Sequence, residues 1–187
     1  LGKTGSAEAA PLLLSALADD RAPYSVVGMG LLHLGNGAIG QLIEALEAPE
    51  PAVRMVAADC LGVLGAVSAT TALVALDTTG ISPAEHRLVV RALGRIGSPA
   101  AVQSLISVMD SRSTIQVREE AAIALGRIGD RSAVRALDAT MQRSGDPASR
   151  AAAEGLRLSG DAGIDTLRDL LEQSSTAGSL ARESLSV

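Results

Sequence analysis

Two histidines, one cysteine and a set of arginines are the residues of this chain whose chemistry could amount to more than packing. His33 and His86 lie about 50 residues apart, and only His86 has a carboxylate beside it, in Glu85-His86. A metal site needs several such donors gathered at one point. The spacing predicts none, and leaves the histidines and Glu85 as surface residues of helices. Cys60 is the single cysteine, which excludes an internal disulfide and a cysteine metal cluster. Its neighbours Ala57, Ala58 and Leu61 make it a small core side chain, and no histidine near it in sequence could activate it. Gly28-Met29-Gly30 falls inside a predicted helix, without the preceding strand or following Lys-Ser/Thr of a phosphate loop. No catalytic residue, metal ligand or cofactor is therefore expected. What remains is a column of cations, Lys3, His33, Arg95 and Arg127 with Arg157 nearby, in the last turns of predicted helices. A positive charge there offsets the helix dipole by about 0.3–1 kcal/mol.

The elements that carry these residues are fixed by a repeat. Ala92-Leu93-Gly94-Arg95-Ile96-Gly97 recurs word for word at 124–129, and weaker copies place anchor leucines at Leu1, Leu31, Leu61, Leu93, Leu125, Leu156 and Leu185. A period near 30 residues marks a solenoid, in which each unit buries its apolar face against its neighbours. Each copy ends a helix whose apolar residues fall on one stripe, as do Val117, Ala121, Ala124, Leu125 and Ile128. The last glycine of each copy, Gly35, Gly65, Gly97, Gly129 and Gly160, forms a column suited to a left-handed cap. The inner glycines Gly62, Gly94 and Gly126 fall in the last helical turn, where glycine costs about 1 kcal/mol relative to alanine. Close approach of neighbouring backbones explains that cost.

The fold class read from this is all-α, an α-solenoid or superhelix of about six antiparallel helix pairs forming a single array over 1–187. The repeats are 6–35, 36–65, 66–97, 98–129, 130–160 and 161–187, with 1–5 the end of a preceding helix. The first helices of the pairs (A) are expected at about 7–19, 37–47, 67–77, 99–110, 131–143 and 161–172. The second helices (B) follow at 23–34, 51–64, 83–96, 114–128, 147–159 and 176–186. Ser82-Pro83-Ala84-Glu85 carries a capping-box signature. Ala101, Val102, Leu105 and Met109 match Ala133, Val134, Leu137 and Met141 as the buried stripe of helix A. The polar stretch 173–179 is expected to fray.

Hydrophobic residues make up 47% of the chain and aromatic ones 1%, so the core is aliphatic. The formal net charge is −5, and all of that imbalance falls in residues 1–80, which carry 3 basic and 8 acidic residues. Such a balance disfavours phosphate-neutralising nucleic-acid binding, and the lack of aromatic platforms disfavours single strands. No 18-residue apolar run and no targeting segment is present, so no membrane association and a soluble, cytoplasmic location are expected.

Val53-Arg54, Val117-Arg118, Ala121-Ala122 and the two Ala-Leu-Gly-Arg-Ile-Gly blocks, each following an acidic turn, resemble the HEAT-like repeats of the phycobilisome-lyase (PBS lyase) type. The resemblance covers essentially the whole chain and implies the fold more than the function, since that group includes protein-binding scaffolds, bilin lyases, a DNA glycosylase branch and a di-iron hydroxylase branch. The paired His-Glu motifs of the hydroxylase branch and the aromatic, basic groove of the glycosylase branch are missing. The repeat arginine becomes Tyr24 in the first repeat and His86 in the third, and Arg150 sits one place out of register. Arg54 and Arg118 are expected to bond turn carbonyls or acids such as Glu50.

The expected function is a non-enzymatic protein-interaction scaffold binding a protein partner on the concave face, which the B helices line in the family this resembles. The alternative is a bilin lyase or bilin-handling protein. Two columns of helix B vary in chemistry where core columns do not. Two places before the anchor stand Met29, Asp59, Arg91, Ile123 and Glu154; six before it stand Ser25, Met55, Arg87, Glu119 and Arg150. Met29, Met55, Asp59, Arg87, Arg91, Glu119, Ile123, Arg150 and Glu154 are the candidate partner-binding residues. Self-association is also expected through an uncapped end, where Leu12, Leu13, Leu14 and Leu17 would lack a covering neighbour.

Overall fold

The protein was analysed as a computed structural model, which describes residues 4–77, 80–143, 147–171 and 175–186. It divides into two compact units, Leu1–Ile96 and Gly97–Val187. Among the described residues every regular element is helical. The first unit holds three hairpins: α1 (Thr4–Ala18) with α2 (Tyr24–Leu34), α3 (Ile39–Ala45) with α4 (Pro51–Val63), and α5 (Thr70–Asp77) with α6 (Pro83–Ile96). The second repeats the plan with α7 (Val102–Met109) and α8 (Ile115–Ile128), α9 (Arg131–Gln142) and α10 (Ser149–Leu158), α11 (Asp161–Leu171) and α12 (Thr176–Leu185). Within the first unit α4 packs on α2 and α6; within the second, α10 packs on α8 and α12.

Each hairpin is held by the aliphatic stripes. The anchors Leu31, Leu61, Leu93, Leu125 and Leu156 are fully buried, as are Leu105, Met109, Leu137 and Met141 on the first helices of their hairpins. The final glycines do end helices: Gly35, Gly65, Gly97, Gly129 and Gly160 all have φ between 59° and 72°. Gly129 is the left-handed cap, its N–H donating to the Leu125 carbonyl at 3.0 Å. Gly35 pairs its positive φ with ψ −141° and leads straight into a 3-10 turn. Such turns, Gly35–Ala38, Val67–Ala69 and Pro99–Ala101, open the first helices of hairpins two to four, which the sequence reading takes as α-helix throughout.

At the inner glycines Gly62 and Gly126 neighbouring backbones meet. A Cβ on Gly62 would lie 2.8 Å from the Ala92 Cα, and one on Gly126 would lie 2.6 Å from the Gly155 Cα. In both units the inner glycine of one second helix faces the residue just before the anchor leucine of the next. That residue is small in every repeat described: Gly30, Cys60, Ala92, Ala124, Gly155 and Ser184.

Three expectations need correction. Residues 4 and 5 are not the end of a preceding helix; α1 runs unbroken from Thr4, because one glycine in an alanine-rich stretch costs too little to stop a helix. The last helix begins at Thr176 as the spacing predicts, where the Ser175 hydroxyl accepts the Gly178 N–H at 3.2 Å and Ala177, Gly178 and Ala181 are buried; residues 172–174 lie outside the described residues. Glu85 is not a surface residue but is buried, at 4% exposure. The leucines of α1 are largely covered too: Leu14 and Leu17 are buried and Leu13 lies where a Cβ on Gly30 would touch it, so only Leu12 stands out, at 72% exposure.

The run Tyr24–Ala45 has the length and mean hydropathy, 1.3, of a membrane span. It is not one straight helix. The turn at Gly35 splits it into α2, of 11 residues, and α3, of 7, each well short of the roughly 20 needed to cross a bilayer.

Replacing Gly126 with alanine sets a better helix former against a backbone clash that neither helix can relieve by moving a side chain. Gly126→Ala is expected to lower stability by more than about 1 kcal/mol. Gly40→Ala, where a Cβ meets nothing within 4 Å, should instead raise it by up to about 1 kcal/mol. Chemical denaturation of both variants checks this, and equal signs would count against the close approach.

Candidate functional site

The second helices of the hairpins carry the two variable columns, because the anchor leucines point the opposite stripe inward and leave this one toward solvent. In the first unit Met29 and Arg87 are exposed, while Met55, Asp59 and Arg91 are partly buried. In the second unit Glu119 and Arg150 are exposed, and Ile123 and Glu154 partly buried.

Several of these residues are already engaged. Asp59 accepts from the Arg95 guanidinium at 2.8 Å, and Arg150 donates to Glu183 at 2.5 Å. Both pairs join adjacent second helices, and in both the partner on the following helix lies one turn further along: from two before the anchor to two after it, and from six before to two before. Arg95 therefore does more than sit at a helix end. Glu154 is held by Arg157 within its own helix at 2.6 and 2.8 Å, which lowers its pKa below the ordinary carboxylate value. Exposed or half-exposed pairs of this kind contribute about 1 kcal/mol or less, so a partner could exchange them at small cost.

The same offset relates Met29, two places before its anchor on α2, to Val63, two places after its anchor on α4. Both are exposed, at 59% and 52%, and Val26 on α2 is exposed at 50%. Val63 occupies the column place filled by Arg95 and Arg127 in later repeats. The sequence reading did not single it out, although its replacement of a cation was visible. Val56, which occupies in the second repeat the place Val26 has in the first, is only 1% exposed and reaches toward Gly28.

A second set of polar residues ties turns to helices. Arg54 donates from Nη1 to the carbonyls of Ala48 and Pro49, at 2.8 and 2.7 Å, and from Nε and Nη2 to Glu85 at 3.0 and 2.5 Å. The acid is thus Glu85 of the next repeat, not Glu50. Glu85 also completes the capping box: it accepts from the Ser82 N–H and hydroxyl at 3.2 and 2.8 Å, and its own N–H donates to Ser82 Oγ at 3.3 Å. Burial alone would raise the Glu85 pKa; the hydrogen bonds from Ser82 and the Arg54 guanidinium outweigh it and lower the pKa below 4.5. Arg118 donates to the Met109 carbonyl at 2.7 Å. In the fifth repeat the register place of these arginines belongs to Ser149, whose hydroxyl bonds the Thr140 and Arg143 carbonyls at 3.1 and 3.4 Å. The short side chain reaches them because it is buried against that turn, an equivalence hidden by the out-of-register Arg150.

Cys60 is buried, with its thiol 3.7 Å from the Gly28 carbonyl. Burial and the nearby Asp59 charge push its pKa up to about 11, and burial with the same charge moves Tyr24 up to about 12. A thiol so placed is a poor nucleophile at neutral pH. His33 lies with Nδ1 2.9 Å from the Met29 carbonyl of its own helix. Among the described residues no three His, Cys, Asp or Glu side chains gather to hold a metal ion.

With this geometry in hand, comparison with known proteins identifies the class. Family models described as HEAT repeats and HEAT repeat match residues 80–157 and 38–68. The chain thus carries HEAT repeats over these residues. Among solved structures it is similar to the complex of CpcE and CpcF of phycocyanin lyase from Nostoc sp. PCC7120, with 26% identity and a TM-score of 0.57. That match covers 79% of this chain and 63% of the other, so the chain spans less than two thirds of that relative's length. An engineered protein is similar in fold, with 20% identity, a TM-score of 0.56, and 96% and 88% of the two chains covered. No curated protein matches the chain.

Removing Arg54 strands the buried Glu85 carboxylate and two turn carbonyls. Arg54→Ala is expected to cost about 3 kcal/mol, at the lower end for breaking a buried pair. Because folding lowers the Glu85 pKa below 4.5, its ionised form adds stability that is complete above that value and is lost as the pH falls through the folded pKa. Glu85→Gln should flatten that part of the stability-versus-pH curve, measured by thermal unfolding between pH 7 and pH 3.

Proposed function

We propose that the chain is a non-enzymatic interaction scaffold, cytoplasmic and acting as one array over 1–187, that binds a protein partner across the second helices of its hairpins. The observation that carries this is the pair Met29 and Val63, large apolar side chains left open on that face. Charged residues of the same helices accompany them, Asp59 paired with Arg95 and, nearer the N-terminus of α6, the exposed Arg87 and the partly buried Arg91. An apolar centre with a polar rim is the anatomy of a protein interface, and arginines near its centre are common energetic hot spots. The similarity to CpcE and CpcF, which form a complex of two proteins, supports a protein partner.

The same similarity favours one second reading, a bilin-handling protein. The 1% aromatic content speaks against a sheltered tetrapyrrole. Mixing with phycocyanobilin tests it: a shifted and sharpened visible band supports bilin binding, and an unchanged spectrum removes it.

For the scaffold reading, the immobilised protein is used to capture its partner from the source cell, and the capture is repeated with variants. Met29→Ala, Val63→Ala and Arg87→Ala together should lower partner recovery at least tenfold with the melting temperature held within a few degrees, since all three side chains are exposed. Arg135→Ala with Arg168→Ala, on α9 and α11, should do little. The reverse ranking would move the binding surface to the first helices.

A further inference from the structure

A cleft of about 800 Å³ opens in the first unit where the ends of α3 and α5 meet the turn at Ala48-Pro49 and the start of α6. It lies at the edge carrying the turns within hairpins, away from the variable columns. Ile43, Leu46, Ala72, Leu76 and Ile81 give it an apolar lining. Its charge is one-sided. Among the described residues the only cation lining it is Arg54, and that guanidinium is committed to Glu85 and to the turn carbonyls. Glu44 and Glu47 also line it, are exposed, and form no ion pair among the described residues. A smaller cleft of about 320 Å³, between α1, α3 and the start of α4, adjoins the first: it shares Glu44 and Ala48 and adds a further carboxylate, Glu50, with Pro11 and Leu14 as apolar lining.

We propose that these adjoining clefts form a docking site for a basic segment of a partner protein, seating apolar side chains in the clefts and its Lys or Arg residues against Glu44, Glu47 and Glu50. The volume is that of sites able to enclose several side chains. The apolar lining supplies burial, and the uncompensated carboxylates select cations over anions and raise the association rate. A neutral apolar ligand would leave those carboxylates idle, and an acidic one would be repelled. The first 80 residues carry all of the chain's net negative charge, so the long-range field steers in the same direction. This site is separate from the second-helix face and stands or falls without it.

The test is selection of a random heptapeptide display library on the purified protein, followed by fluorescence polarisation with the enriched peptide at two salt concentrations. Enrichment of one or two apolar residues flanked by Arg or Lys is expected, with binding that weakens as salt rises. Glu44→Gln with Glu47→Gln should weaken that peptide at least fivefold, as should Ala75→Leu, which fills the cleft from an exposed position. Met29→Ala with Arg87→Ala should leave it unchanged. No enrichment, enrichment of acidic or uncharged peptides, or indifference to the glutamate and Ala75 variants would overturn the proposal. Loss of binding only in the Met29 and Arg87 variant would also overturn it, while supporting the second-helix face as the binding surface.

Discussion

Everything above the level of the hairpin depends on how closely two successive second helices can approach. At Gly62 against Ala92, and at Gly126 against Gly155, Cβ-to-backbone space is absent, and the helices touch through main chain. Contact of that kind fixes register along the helix axis, because sliding either helix would drive a larger side chain into the gap. Glycine in the last helical turn opposes helix formation by about 1 kcal/mol, and its recurrence there records that packing outweighs propensity. Gly155 adds a second constraint in the same unit, since a Cβ there would lie 2.6 Å from the Ala122 carbonyl oxygen.

Once register is set, the polar residues follow from it. Arg54 can bond both its own turn and Glu85 of the following repeat only because α4 and α6 are held at one offset, and Glu85 can cap α6 while accepting that guanidinium. On the outward stripe the same offset brings Asp59 to Arg95 and, in the second unit, Arg150 to Glu183. The buried network stabilises; the exposed pairs are weak enough to be exchanged. That contrast separates the residues that hold the hairpins together from those available to a partner.

The repeat made much of this legible. Anchor leucines, capping glycines and the capping box at Ser82 were readable because each is a local signal tied to a fixed place in the period. The role of the inner glycines was readable as well, since a repeated local cost implies a tertiary reason. What escaped was non-local. Glu85 reads as a surface residue until Arg54 is known to reach it from the preceding repeat. Ser149 reads as a break in the arginine column until its hydroxyl is seen on the same turn carbonyls. The openness of Met29 and Val63 depends on which neighbours cover them, and the clefts along Glu44 arise from gaps between helices, which no residue pattern encodes.

The central claim is that the second-helix contacts at the small residues are the most firmly held part of each unit. Native-state amide hydrogen exchange, followed residue by residue, tests it directly. The amides of Gly62 and Leu93 in the first unit, and of Gly126 and Leu156 in the second, should exchange only when the whole unit unfolds, with the same dependence on denaturant as global unfolding. Amides of the short α3 should exchange earlier, through local opening. Exchange at Gly62 and Gly126 as fast as in α3 would contradict the account.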